Sequence, residues 1–153
     1  MFPGSTGSLV GLIILIVTWL WCLLATKGFI SFDFDAKGET GAFEKQLSTY
    51  LDIAKLILSL ASGSVVLLVG SSALRDKGNL PRSFASPLFL LAESILYGIL
   101  FMVFLTSDYE GYRHSQDGSY YTRFKYSRNQ AFGYAGLFCF LTGYFWLIVV
   151  AVK

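Results

Sequence analysis

The chain has 153 residues, 54% of them hydrophobic and only 14% charged, well below the roughly 25% charged of an average soluble domain. Its formal net charge is +2, and the basic residues are spread over every polar stretch, which excludes the basic face expected of a nucleic-acid-binding protein. The two cysteines, Cys22 and Cys139, sit inside apolar runs with no Cys-x-x-Cys, which excludes paired-thiol redox chemistry.

Four apolar runs dominate what is left, at about 9–26, 52–74, 87–107 and 131–152. A helix needs ~20 predominantly apolar residues to cross a hydrocarbon core. Only helices and closed barrels satisfy their backbone polar groups there, and these runs lack the two-residue alternation of barrel strands. The expected fold is therefore an all-α membrane protein: a four-transmembrane-helix bundle with two longer polar loops, forming a single integral membrane domain over 1–153.

The first run follows a Gly/Ser-rich lead that contains no Lys or Arg, and no small-x-small cleavage site stands before Lys27. It reads as a retained span and not as a signal peptide. Trp19 and Trp21 lie toward its end, where amphipathic rings favour a lipid–water boundary.

The next stretch contains Asp33, Asp35, Gly38 and Glu44 at the spacing of positions 1, 3, 6 and 12 of a calcium loop. Lys37 stands where an oxygen ligand belongs, and its ammonium group would repel the ion. A solvated turn is expected, with no metal and no other cofactor. From Phe43 the apolar residues Phe43, Leu47, Leu51 and Ala54 recur at helical spacing, which predicts a helix running directly into the second span.

The third span is announced by Ser86-Pro87, with Ser86 as N-cap and Pro87 at the first helical position. Inside it stands Glu93, ~10 Å beyond that cap at 1.5 Å per residue, with Tyr97 one turn further on the same face. An acid in hydrocarbon costs several kcal/mol unless paired, protonated or near water. Either its carboxylate reaches the headgroups or a serine of the second span, or it faces a polar pathway.

The polar stretch 107–130 interleaves Tyr109, Tyr112, Tyr120, Tyr121, Phe124 and Tyr126 with Arg113, Arg123, Lys125 and Arg128. Interfacial anchoring accounts for this mixture without invoking nucleobase stacking. His114 is the only histidine, and alone it makes no metal site.

Small residues line the apolar runs: Gly63 and Gly70 on the second, Gly98 on the third, Gly136 and Gly143 on the fourth. Such residues let helix backbones approach closely where lipid provides no hydrophobic drive. They are expected to pack the four helices against one another, with an oligomer interface as the alternative.

Basic residues of the first and third loops (Lys27, Lys37, Lys45, Lys55, Arg113, Arg123, Lys125, Arg128) outnumber those of the other side (Arg75, Lys77, Arg82, Lys153). The positive-inside rule then places the long loops in the cytoplasm and both termini outside. No nucleophile–base pair is visible, so no catalytic residue is expected. The sequence reads as a small non-enzymatic, multi-pass membrane protein. It would be an accessory subunit whose partners are the lipid bilayer and another membrane protein or a second copy of itself. The alternative is a homo-oligomeric channel or transporter that uses Glu93.

Overall fold

The computed structural model describes residues 5–27, 42–70, 81–114 and 122–152. Among these the chain is all-helical, with four helices each long and apolar enough to cross a membrane. They are α1 (Ser5–Ala25), α2 (Ala42–Gly70), α3 (Ala85–His114) and α4 (Arg123–Val152). The helix predicted from Phe43 onward is continuous with the second span, because α2 begins at Ala42.

The start of α3 differs from expectation. A single 3-10 turn, Arg82–Phe84, winds directly into the helix, and the Ala85 amide donates to the Arg82 carbonyl. Ser86 therefore lies inside the first turn and is not its cap. Its hydroxyl instead meets Thr6 Oγ1 of α1 at 3.0 Å. Pro87 remains in that first turn, where its missing N–H has no helical partner to lose.

The third polar stretch is also more helical than its composition suggests. Helix α3 continues through Asp108 to His114 and α4 begins at Arg123. Many of the residues read as loop thus belong to helix ends. Residues 115–121, between the two helices, lie outside the described residues.

Neighbouring helices run in alternating directions. Helices α1 and α3 are parallel, since Gly7 meets Ser86 and Gly11 meets Glu93. Helix α4 opposes both: Gly143 lies against Leu90 and Pro87, and Thr26 Oγ1 meets Ser127 Oγ at 3.0 Å. Helix α2 opposes α3, with Leu58 beside Gly98 and Leu68 clustered with Phe84 and Leu91. The antiparallel α3–α4 pair is the centre, α1 packs on both, and α2 packs chiefly on α3. Among the described residues α1 and α2 have at most marginal contact with each other.

Two small apolar clusters make the core. One gathers Leu90, Tyr97, Ala135 and Cys139, flanked by Val10 and Ile14 of α1. The other joins Leu68 to Phe84 and Leu91. Outside them, large apolar side chains such as Ile13, Val17, Leu24, Val66, Leu67 and Phe145 stand exposed.

Candidate functional site

Glu93 is the acid that the α1–α3 contact is built around. A helix can come this close only where a side chain is missing, and α1 supplies Gly7 and Gly11 one turn apart. A Cβ at Gly7 would lie 2.5 Å from the Ser86 carbonyl oxygen, and one at Gly11 would fall on Glu93 Oε2. The Ser8 hydroxyl stands beside the Glu93 carboxylate. Oε2 is buried and, among the described residues, has no hydrogen-bond partner.

The serine beside Glu93 is on the first helix; a serine of the second span was one of the alternatives. The reason is the Gly7-x-x-x-Gly11 spacing, a small-residue motif that draws α1 onto this face of α3. That signal was present in the sequence, although a small-residue motif by itself does not say which helix it meets. Tyr97, one turn beyond, is buried in the same interface and tilts against Phe132 at 6.2 Å between centroids.

The glycines singled out in the sequence divide into two groups. At Gly136 a Cβ would stand 3.5 Å from both Gly98 N and the Ser94 carbonyl, and at Gly143 3.1 Å from Leu90 Cβ. The closeness at Gly136 lets the Ser94 hydroxyl donate to the Gly136 carbonyl oxygen at 2.7 Å. Gly98 has only Leu58 Cδ1 near its Cβ position, at 3.8 Å. Gly63 and Gly70 face nothing within 4 Å among the described residues. The second-span glycines thus pack no described helix of this chain.

The most complete polar cluster lies at the opposite end of α3. Asp108 is only 4% exposed. Arg128 Nη2 and Asn129 Nδ2 donate to its Oδ2 at 2.7 and 2.9 Å, and Lys125 Nζ lies 4.0 Å from Oδ1. The Arg128 guanidinium sits 4.1 Å over the Phe104 ring, where the ring quadrupole favours a cation. Beside it, Arg123 Nη2 donates to the Leu23 carbonyl at 2.6 Å and Nε to Thr26 Oγ1 at 3.2 Å. This cation closes the C-terminal end of α1, where carbonyls lack intrahelical partners.

Asp108 escaped notice in the sequence because it stands in a polar stretch, where an acid attracts no attention. The available signal was its helical register with Phe104 and the basic run of Arg123, Lys125 and Arg128. Asp33 and Asp35 lie outside the described residues, as does the side chain of Glu44. Among the described residues no three His, Cys, Asp or Glu side chains gather to hold a metal ion. No family model, curated protein or solved structure matches the chain.

Proposed function

We propose that this chain is a multi-pass integral membrane protein whose four helices form a transmembrane bundle. In that setting it acts as an accessory or interaction subunit and not as an enzyme. Exposed apolar faces on all four helices support the membrane setting, because a soluble monomer seldom leaves such contiguous surface in water.

The observation that carries the interaction reading is the outer face of α2. Gly63 and Gly70 have no described neighbour, and between them Val66 and Leu67 are 69% and 74% exposed. Small residues at helical spacing on a lipid-facing helix favour close contact with another helix. Here the close helix approaches within the chain use glycines of α1, α3 and α4 and leave Gly63 and Gly70 of α2 open among the described residues.

The test is the molecular mass of the protein extracted from its own membranes in mild detergent. The wild type should run as a defined complex, with itself or with a second protein. The double change Gly63→Leu and Gly70→Leu should reduce it to a monomer with unchanged helicity. A monomeric wild type, or a complex indifferent to both substitutions, would overturn the reading.

A second reading is favoured by the orphan oxygen of Glu93. An ionised carboxylate in hydrocarbon is costly, and a proton or cation would relieve that cost, as in a transport pathway. Proton or cation flux across liposomes distinguishes the two readings. A wild-type flux that Glu93→Gln abolishes without unfolding would replace the accessory reading with transport.

A further inference from the structure

Because α1 and α2 both pack on the α3–α4 pair and have at most marginal contact with each other, they leave a cavity of about 630 Å³, lined by all four helices. That volume falls within the 300–1,000 Å³ or so of small-ligand sites. The cavity is zoned along the helix axes. Thr26, Tyr126 and Gln130 line one end, and Ile57, Gly98 and Leu137 line the other. From Tyr126 to Leu137 along α4 is about 16 Å at 1.5 Å per residue. One leaflet of a hydrocarbon core is about 15 Å deep, half of ~30 Å.

Cations flank the polar end without lining it: Lys27 and Arg123 line a separate groove with Leu23 and Phe124. Arg123 hydrogen-bonds Thr26, Lys27 follows Thr26 and is exposed, and Lys125 and Arg128 surround Asp108 close by. Basic side chains at this level favour an anionic headgroup. The apolar end carries no charge, and its floor is open at Gly98, whose Cβ position has only Leu58 Cδ1 near it among the described residues, at 3.8 Å.

We propose that this cavity is a lateral binding site for one anionic glycerophospholipid. An acyl chain lies between α1 and α2, and the phosphate sits near Thr26, Lys27 and Arg123. The site rests on the membrane setting proposed above and is independent of any protein partner on α2. Its polar rim orients the lipid, and its whole length along α4 is close to the depth of a single leaflet.

Native mass spectrometry of the delipidated full-length protein, titrated with phosphatidylglycerol and with phosphatidylcholine, tests this directly. The wild type should hold one phosphatidylglycerol per chain about tenfold more tightly than phosphatidylcholine, and Lys27→Gln should narrow that preference. A Cβ at Gly98 meets only Leu58, so Gly98→Leu projects into the cavity and should remove the tight site. Ile57→Trp fills the same space from α2 and serves if Gly98→Leu does not fold. Leu67→Trp, on the outer face of α2, should leave binding unchanged.

Three results would overturn the proposal: no tightly held phospholipid on the wild type, equal binding by a folded cavity-filling variant, or loss of lipid caused equally by Leu67→Trp. A wild type that buries the cavity in a dimer and excludes lipid would overturn it too. Loss of the α2 partner with lipid retained would fault only the interaction reading.

Discussion

Asp108 and Glu93 are two acids on one helix, about 22 Å apart at 1.5 Å per residue, and α3 treats them in opposite ways. Asp108 is nearly inaccessible, yet Oδ2 receives donors from Arg128 and Asn129 and Oδ1 faces Lys125. Glu93 is only partly buried, but among the described residues Ser8 is the hydroxyl beside it, and its Oε2 is without a described partner. Depth of burial therefore does not measure the need of a buried acid. What matters is the supply of donors from the facing helix. Helix α4 brings a cation and an amide to Asp108, whereas α1 brings a glycine and one hydroxyl to Glu93. The first arrangement is a structural clasp between α3 and α4. The second leaves capacity for something further.

The largest effect expected from this contrast is at the clasp. Asp108→Ala strands Arg128, and removing one member of a buried pair typically costs about 3–5 kcal/mol. The lower end applies, because Arg128 and Lys125 retain 24% side-chain exposure and can turn to solvent. Chemical unfolding in detergent should show this loss. Arg128→Ala on top of Asp108→Ala should then add much less than it costs alone. Simple additivity of the two would mean that the pair is not coupled.

At the other acid, the constraint is space. Gly11→Ala places a methyl group on the Glu93 carboxylate, and overpacking of this kind costs about 1–3 kcal/mol. In a Glu93→Ala background the same Gly11→Ala change should be close to neutral, because the group it collides with is gone. A Gly11 effect of equal size in both backgrounds would show that α1 does not approach α3 at Glu93.

The smallest effect sharpens the comparison by using a satisfied polar group beside the unsatisfied one. Ser94 follows Glu93 but points at α4, donating to the Gly136 carbonyl. Ser94→Ala should cost about 0.6 kcal/mol, the average for interhelical hydrogen bonds within a membrane. A cost several times larger would indicate that Ser94 supports the cavity floor as well as a single bond.

Hydropathy made the helices legible, since each apolar run is long enough to satisfy its own backbone and short enough to end at charged residues. It also singled out Glu93 by contrast with its surroundings. It misjudged the helix ends, because composition cannot show that Asp108, Arg128 and Asn129 neutralise one another across two helices and so extend both. The role of Ser86 was misread for a similar reason. Its hydroxyl suits a cap, but a 3-10 turn already serves the start of α3, which leaves Ser86 to bond Thr6.

By itself the sequence determined the number of helices, their approximate extent and the presence of an acid within the third, all of them local consequences of chain composition. Only the tertiary structure decided which helix faces which. Gly7 and Gly11 bring α1 to Glu93, Gly136 and Gly143 bring α4 to α3, and Gly63 and Gly70 remain open on α2. Small residues permit close approach on any helix and name no partner, so the choice among equally smooth surfaces is made by the packing of the whole chain. The same packing separates α1 from α2 and so creates a cavity that no single helix encodes.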